Sequence, residues 1–348
     1  MINEYFIEEK VFEGGSQGRK IFIEAIKISL STKSTTWIGA FKLHKNYLPR
    51  EDILEALRLL ADEEIPLNII LESRLSQSEV KDLTILSEGA SLQAFKNTGA
   101  TILTDLKPYI NVHLKILVNT EFAIISTTNY DDIDSDYIKR DFSLITRDHS
   151  IVSELNEILE KIKQQEVIKW PYYHIGDMHI GESRLAWGPA HHRMLLKELI
   201  EAAQDEIVIY EQSIQDLGIL AALEERLKEG VKVRILISEH PFGKHHPNKS
   251  LPNLQALAEK GACIRLTGSK IIKEGLPLHI HAKVIIIDAG SLNQTMYLGS
   301  ANLYEPVLNP EGDHLNLGII TKAQKYISNV YPTFEYDWIC HNDTYVNF

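Results

Sequence analysis

The sequence predicts an α/β protein built from two copies of one unit, each about half of the 348-residue chain. Three observations predict this class. Amphipathic helical segments alternate with apolar, β-rich segments, which is typical of a sheet that is covered by helices and contains parallel strand pairs. The alternation occurs in the same order in both halves. A short His-x-Lys motif on an apolar segment also occurs once in each half.

Each half opens with a helix that is followed by a strand. These elements span residues 18–41 in the first half and 191–212 in the second. A second helix, turn and strand follow at 51–73 and again at 217–238. In each segment the apolar residues change from helical spacing to a short continuous run, as expected where a helix leads into a buried strand.

A third helix and strand complete the first part of each copy, at 91–106 and 253–269, with a Gly at the end of each helix. The motif segments 112–120 and 280–288 come next. Two further pairs of segments align after them, 125–130 with 298–304 and 140–146 with 315–321.

The joint between the copies is predicted in residues 161–183, where a charged helix end gives way to an aromatic, Gly-containing connector. We therefore divide the chain into an N-terminal domain, 1–165, with a degenerate motif, and a C-terminal domain, 166–348, with a complete one. Each has an ordinary domain size.

Composition limits the classes of function. The formal net charge of 36 − 48 = −12 argues against broad, nonspecific nucleic-acid binding, because neutralising many phosphates needs excess Lys and Arg. We expect no integral membrane segment, since no apolar run has the length of a span, and no secretory signal, since the start MINEYFIEEK lacks a basic region before an apolar core. With only Cys263 and Cys340, a reducing compartment and a cytoplasmic location are expected.

The stretch HIHAKVIIID, residues 279–288, predicts a buried strand that carries two polar residues. On a strand His281 and Lys283 would point the same way. A lysine in such a setting must reach water, a carboxylate or a bound anion. An edge strand with a wet face would explain one such motif. Its recurrence at His113 and Lys115 favours a function.

Each motif is followed by a strand that ends in a hydroxyl-x-Asn turn. The two sets are His113, Lys115, Thr127 and Asn129, and His281, Lys283, Ser300 and Asn302. Lysine and Asn donors suit an anion, most naturally a phosphate. One neutral histidine would attack phosphorus and form a phosphohistidine, while the other would protonate the leaving oxygen and then take a proton from water or an alcohol. No metal or cofactor is expected, because the lysines supply the positive charge.

At these residues the sequence resembles the phospholipase D superfamily. The second copy, H-A-K-V-I-I-I-D followed by G-S-A-N, matches the signature H-x-K-x4-D…G-S-x-N throughout, and the first copy, H-L-K-I-L-V-N-T followed by S-T-T-N, matches it more loosely. The closing F-E-Y-D-W, 334–338, also resembles family members. The resemblance implies a pseudo-twofold α-β-α sandwich, a monomer with an intramolecular pseudo-dimer, and one active site between its halves.

The resemblance also implies roles for these residues. Histidines 113 and 281 would be nucleophile and acid/base, and the lysines and asparagines of both motifs would bind phosphate. Supporting roles would fall to Thr127 and Ser300. The Asp that closes the motif is Asp288 in the second copy and Thr120 in the first. We interpret this position as a structural hydrogen-bonding one, so its loss is tolerable.

The family also places a carboxylate after the Asn turn, which orients the histidine and stabilises its charged form. The first copy has Asp141 at this position and the second has Asn316. An Asn can orient an imidazole but cannot stabilise its positive charge. We therefore expect His113 to have the better partner and to be the nucleophile, with His281 as acid/base. Two nearby carboxylates could replace the missing one, Asp313 and Glu311.

Three functions remain open from the sequence. The leading hypothesis is a metal-independent phosphodiesterase that hydrolyses or transfers a phospholipid headgroup ester. A nuclease with the same site is the alternative; nucleic acid is not favoured as a partner because of the acidic balance. A weakened scaffold that binds phosphate esters without turnover is the third, suggested by Thr120 and Asn316.

Overall fold

The structure is a computed structural model, and it describes residues 9–13, 16–40, 44–45, 48–49, 51–71, 95–104, 106–109, 111–129, 138–241, 248–268, 271–273 and 276–341. The chain forms two compact units. Unit 1 comprises Met1–Asp132, Ser143–Lys169 and Asp313–Leu315. Unit 2 comprises Ile133–Phe142, Trp170–Gly312 and Asn316–Phe348. The division into 1–165 and 166–348 stays a prediction, and it did not include the exchange of two short segments.

The first half of the chain contains the following elements in order: β1 (Val11–Glu13), α1 (Ser16–Thr32), β2 (Thr36–Ala40), β3 (His44–Lys45), β4 (Leu48–Pro49), α2 (Glu51–Asp62), β5 (Leu67–Leu71), β6 (Thr101–Leu103), β7 (Asn111–Val112), β8 (Lys115–Val118), β9 (Ala123–Ser126), β10 (Ile138–Arg140), β11 (Phe142–Thr146) and α3 (His149–Gln164). The predicted helix within 91–106 lies partly outside the described residues.

The second half contains a short 3₁₀ helix and then these elements: β12 (Ser183–Gly188), α4 (His192–Glu201), β13 (Glu206–Glu211), α5 (Leu217–Lys228), β14 (Lys232–Ser238), α6 (Leu251–Glu259), β15 (Cys263–Thr267), β16 (Ile271–Lys273), β17 (Leu276–Ile280), β18 (Val284–Ile287), β19 (Thr295–Gly299), α7 (Glu305–Leu308), β20 (His314–Thr321) and α8 (Gln324–Cys340).

The main sheets of the two units have the same topology. One has the order β1-β11-β9-β8-β2-β5-β6, and the other has the order β12-β20-β19-β18-β13-β14-β15. In both, three neighbouring strands pair in parallel, β2-β5-β6 and β13-β14-β15, while the motif strand, β8 or β18, lies antiparallel to the first of them. The structure confirms the predicted α/β class, and the matching strand order agrees with a duplication.

Helices cover these sheets because each has one apolar face. In unit 1, α2 buries Ile53, Leu57 and Leu60. In unit 2, α4 buries Leu195 and Leu199 against the sheet residues of the same core. The helix starts are also specified locally. The Asp216 side chain accepts hydrogen bonds from the N–H groups of Gly218 and Ile219 and so caps α5.

Two short segments are exchanged between the sequence halves. Strand β10 pairs in parallel with β17 and belongs to unit 2. Strand β7 pairs in parallel with His314 and Leu315, and these residues belong to unit 1. Strand β10 ends directly before Asp141, which belongs to unit 2 with it, and the segment 313–315 ends directly before Asn316.

Helix α8 binds the β10 segment within unit 2 through a buried carboxylate. The Arg140 guanidinium donates two hydrogen bonds to the Asp337 carboxylate, with N···O distances of 2.7 and 2.9 Å. The Tyr210 hydroxyl donates a third, at 2.6 Å. Since Asp337 is fully buried, this network specifies where β10 lies. Among the described helices, none is both long and apolar enough to cross a membrane.

Candidate active site

His281 lies where the chain passes from one sheet to another. Strand β17 belongs to a sheet with β10 and β16, whereas β18 belongs to the main sheet of unit 2. The prediction of one continuous strand over 279–288 was therefore wrong, because residues 281–283 leave one ladder before the next begins. The N–H groups of His281 and Ala282 donate instead to the Arg140 carbonyl, at 3.1 and 2.8 Å.

The same local structure occurs in unit 1. Strand β7 ends at Val112 and β8 begins at Lys115, so His113 also lies between two ladders. Its N–H group donates to the Leu315 carbonyl at 2.9 Å. In both copies, therefore, a carbonyl of an exchanged segment fixes the backbone of the motif histidine.

A carboxylate lies against the His281 ring. The Nδ1 atom of His281 is 2.8 Å from Oδ1 and 3.1 Å from Oδ2 of Asp141. The Asp141 side chain is fully buried, and only a tenth of the His281 side chain is exposed. Lys139 adds a positive charge 3.8 Å from Asp141 Oδ2. Such a contact orients an imidazole and stabilises its positive charge.

This contact corrects the expected pairing. The sequence alignment placed Asp141 in the first copy and so gave His113 the better partner. Residues 138–142 instead pack in unit 2, because β10 pairs with β17 and Arg140 is bound to Asp337. The carboxylate of the first copy therefore serves the histidine of the second.

Lys283 is a fully buried ammonium next to His281 in the chain. Its Nζ donates to the His281 carbonyl and, at 3.4 Å, to Oε1 of Gln212. It forms no ion pair with any carboxylate of the described residues. Burial lowers the pKa of Lys283 to about 8, although Glu211 and Asp141 act to raise it. A buried cation with only neutral contacts is suited to receive an anion.

Lys115 occupies the equivalent position in unit 1. It is 1% exposed, and its Nζ donates to the His113 carbonyl at 3.3 Å, as Lys283 does to His281. The two motif lysines thus share one conformation, in which the ammonium folds back over the backbone of the histidine. This repetition supports the alignment of the two motifs.

The hydroxyl-x-Asn turn of unit 2 lies beside the motif strand. The Gly299 N–H donates to the Lys283 carbonyl, and Ser300 follows directly. Ser300 Oγ accepts from the Leu317 N–H at 3.1 Å and lies 3.4 Å from Oδ1 of Asn316. Ser300 and Asn316 are thus placed together. The side-chain oxygen of Asn302 is buried and has no hydrogen-bond partner among the described residues.

The equivalent turn of unit 1 has the same features. Thr127 is fully buried and Asn129 is 7% exposed. The side-chain oxygen of Asn129, like that of Asn302, is buried without a hydrogen-bond partner in the part of the chain that the structure describes. In both asparagines, therefore, the side-chain oxygen accepts no hydrogen bond from the residues that the structure describes.

In unit 2 the residue that closes the motif, Asp288, binds backbone N–H groups through its side chain. The Asp288 carboxylate accepts hydrogen bonds from three consecutive N–H groups, those of residues 204–206, at 2.7 to 2.9 Å. Thr120, at the equivalent position, is exposed. In that turn Asn119 accepts from the N–H groups of Glu121 and Phe122 instead. The interpretation of this position as a structural hydrogen-bonding one agrees with these contacts.

The carboxylate proposed as a substitute, Asp313, has other contacts. Its Oδ1 accepts from Asn111 Nδ2 at 2.8 Å and lies 3.0 Å from Nδ1 of His314. Glu311 is exposed, and its N–H donates to Asn309.

Sequence reasoning missed four residues of unit 2 that surround His281 and Lys283. They are Lys139, Arg140, Glu211 and Gln212. A signal existed for the last two, since the apolar strand VIYEQ ends in adjacent polar residues that the structure finds buried. Burial acts to raise the carboxyl pKa of Glu211, while the Lys283 ammonium acts to lower it.

The comparisons with known proteins agree with this geometry. Residues 196–338 match the family model described as cardiolipin synthase, PLD-like domain. Residues 196–338 are therefore similar to a phospholipase D-like domain. Over these residues the match confirms the resemblance that the motifs suggested. No curated protein matches the sequence significantly.

Two solved structures share the fold of this chain. Phosphatidylserine synthase of Haemophilus influenzae Rd KW20 has a TM-score of 0.66 at 13% identity, over 96% of this chain and 86% of that one. Polyphosphate kinase of Porphyromonas gingivalis has a TM-score of 0.63 at 12% identity, over 94% of this chain. The chain spans 45% of that kinase. At these identities the likeness shows the fold alone.

Proposed function

We propose that this protein is a phosphodiesterase of the phospholipase D type, which hydrolyses or transfers a phospholipid headgroup ester through a phosphohistidine and without a metal. The observation that carries the proposal is the contact between His281 and Asp141, next to the buried ammonium of Lys283, which forms no ion pair with any residue that the structure describes. An oriented imidazole and a buried cation are the parts that attack on a phosphate requires.

We assign the nucleophile to His281. With Nδ1–H donated to Asp141, Nε2 carries the lone pair that attacks phosphorus. As the N–P bond forms, the ring becomes positively charged, and the buried carboxylate stabilises that charge. This reverses the expectation from the sequence, which gave the role to His113 because it expected Asp141 to be that residue's partner.

The other steps use the first motif. His113, as imidazolium, gives its proton to the leaving oxygen while the P–O bond breaks. The neutral His113 then takes a proton from water or an alcohol, whose oxygen bonds to phosphorus as the P–Nε2 bond breaks. The remaining motif residues bind the non-bridging phosphate oxygens; they are Lys115, Lys283, Asn129 and Asn302.

A phospholipid is the substrate that the comparisons favour. The description of the matching family model names cardiolipin synthase, a lipid synthase. One protein of the same fold is a phosphatidylserine synthase. The net charge of −12 also favours a lipid or small diester over long nucleic acid. The tests must distinguish this function from two alternatives, a nuclease and a scaffold that binds phosphate esters without turnover.

The first test is hydrolysis of bis(p-nitrophenyl) phosphate in excess EDTA. Activity should persist in the wild type and fall by at least about a hundredfold in His281→Ala and in His113→Ala. His174→Ala is the matched control, because that side chain is 62% exposed, and it should keep wild-type activity. Loss of wild-type activity in EDTA, or equal activity in all variants, would refute the mechanism.

A second test identifies the nucleophile. p-Nitrophenolate leaves without a general acid, whereas hydrolysis of the intermediate needs a base. His113→Ala should therefore accumulate a phosphoryl adduct on His281, detectable by mass spectrometry after an alkaline quench. An adduct on another residue would reverse the assignment. Assays with vesicles of phosphatidylcholine and phosphatidylglycerol, beside assays with single-stranded DNA, then distinguish a phospholipase D activity from a nuclease activity.

A further inference from the structure

Glu211 is the last residue of β13, and Lys283 directly precedes the neighbouring strand β18. Strands β13 and β18 are antiparallel, and their last registered pair is Tyr210 with Val284. Continuing the register by one residue brings Glu211 opposite Lys283. Side chains at opposed positions lie on the same face of a sheet, with Cβ atoms about 5 Å apart. Both residues are buried, at 1% and 0% exposure.

The backbone and Gln212 hold these two groups in place. One Glu211 oxygen accepts from the N–H groups of Gln212 and Ser213, at 2.7 and 3.2 Å. The Gln212 side chain accepts from Lys283 through Oε1, while its Nε2 donates to the Pro241 carbonyl at 2.6 Å. The carboxylate is therefore fixed close to the ammonium without a direct ion pair.

This arrangement leaves one ammonium donor of Lys283 unused. An ammonium has three N–H groups, and Lys283 directs two of them at the neutral oxygens of His281 and Gln212. A carboxylate in direct contact would take the third and compete with a substrate phosphate. A carboxylate one strand away can stabilise the charge while the third donor stays available.

We propose that Glu211 is a positioning residue that keeps Lys283 protonated for phosphate binding without itself touching the phosphate. This inference rests on the proposed function, since it assigns Lys283 a phosphate ligand. It extends the site from the motif to the preceding strand end, where the residues Glu211 and Gln212 serve the same ammonium.

Other charged or titratable groups also face Lys283. Asp141 acts to raise its pKa and Lys139 acts to lower it, so the two oppose each other. Tyr297 lies on the adjacent strand β19 and is hydrogen-bonded to His192. Burial raises the pKa of Tyr297 well above its usual value and lowers that of His192 to about 3, so both are neutral where Lys283 titrates. Glu211 is therefore the carboxyl whose removal should change Lys283 most directly.

The test measures the ionisation of Lys283 itself, which needs no catalytic activity. The protein is labelled with [13Cε]lysine, and the Lys283 signal is assigned by its absence in Lys283→Arg. Glu211→Gln keeps an oxygen for the Gln212 and Ser213 N–H groups but removes the charge. We expect it to lower the pKa of Lys283 by at least about one unit. Glu259→Gln, an exposed change on α6, should leave that pKa unaltered.

Binding of inorganic phosphate gives the second readout. At pH 8 Glu211→Gln should bind phosphate about fivefold more weakly than the wild type, because fewer Lys283 side chains are charged. At pH 6 the ratio should approach one, since Lys283 is then protonated in both proteins. A merely structural role would weaken binding equally at both pH values, and that result would overturn the proposal.

Further outcomes distinguish failure of the Glu211 proposal from failure of the proposed phosphate site. An unchanged pKa of Lys283 in Glu211→Gln overturns the positioning role, whatever the activity. A lowered pKa in a protein that binds no phosphate supports the coupling but refutes the phosphate site. If Glu211→Gln fails to fold, Lys283→Met is used, because coupling is reciprocal. The Glu211 carboxyl, followed by 13Cδ, should then have a higher pKa than in the wild type, and an unchanged value refutes the proposal.

Discussion

The Asp141 carboxylate lies 2.8 Å from Nδ1 of His281, although 140 residues separate the two in sequence. The motif of the second copy is thus completed by a residue of the first. This follows from the exchange of residues 138–142, which pack in unit 2. A substitution at Asp141 in the first copy would therefore act on the histidine of the second.

The first prediction concerns the charge of Asp141. Asp141→Asn keeps the size of the side chain and a hydrogen-bonding partner for His281 but removes the negative charge. We expect kcat for bis(p-nitrophenyl) phosphate to fall by about 10²-fold or more, because the positively charged ring is no longer stabilised. The melting temperature should change little. Asp62→Asn, on an exposed position of α2, serves as control. Unchanged kcat in Asp141→Asn would show that His281 needs only orientation.

The sequence predicted much of this fold for a physical reason. Helix and strand periods are local properties, so both copies of the helix–strand pairs were recognisable at 51–73 and 217–238. The motif residues were recognisable because polar side chains interrupt apolar segments. Their repetition then distinguished His113 and His281 from ordinary polar residues of a strand.

The partner of each motif residue could not be predicted in the same way. Strand β10 has three residues, and its pairing with β17 is determined by tertiary contacts such as that of Arg140 with Asp337. No periodicity encodes such a choice. The role of Glu211 was hidden for the same reason, because only the register of β13 with β18 places it opposite Lys283.

The second prediction concerns the stability of the segment that carries Asp141. Asp337→Ala would leave the buried Arg140 guanidinium and the Tyr210 hydroxyl without their acceptor. We expect a loss of about 3 to 5 kcal/mol in the free energy of unfolding, measured by urea denaturation. Glu157→Ala removes an exposed ion pair with Lys161 and should cost less than about 1 kcal/mol. Equal losses in both variants would contradict the structural role of Asp337.

The third prediction compares the residue that closes the motif in the two copies, Asp288 and Thr120. Asp288→Asn replaces one of two carboxylate oxygens by an NH₂ group, which cannot accept from the backbone N–H groups that the oxygens bind. We expect a loss of about 1 to 3 kcal/mol in the free energy of unfolding. Thr120→Asn places the same side chain at the exposed equivalent position and should change stability by less than about 0.5 kcal/mol. The activity of folded Asp288→Asn should stay close to that of the wild type, and a large loss of activity at full stability would assign this residue a chemical role.

The fourth prediction concerns His192, a fully buried imidazole whose Nε2 lies 2.7 Å from the Tyr297 hydroxyl. Burial lowers its pKa from 6.5 to about 3. Between these values the unfolded chain binds a proton that the folded protein excludes, so the stability that His192 contributes is present above pH 6.5 and is lost as the pH falls towards 3. The loss should approach about 1.4 kcal/mol for each pH unit within this window.

His192→Gln tests this prediction because glutamine can bond the Tyr297 hydroxyl but does not titrate. The variant should be less stable than the wild type at pH 7, and the difference should shrink or reverse at pH 4.5. Urea denaturation at both pH values measures the two differences. His149→Gln, at an exposed position, should show the same pH dependence as the wild type. If the difference between His192→Gln and the wild type is independent of pH, His192 is not held neutral by burial, and its contact with Tyr297 must then tolerate a charged ring.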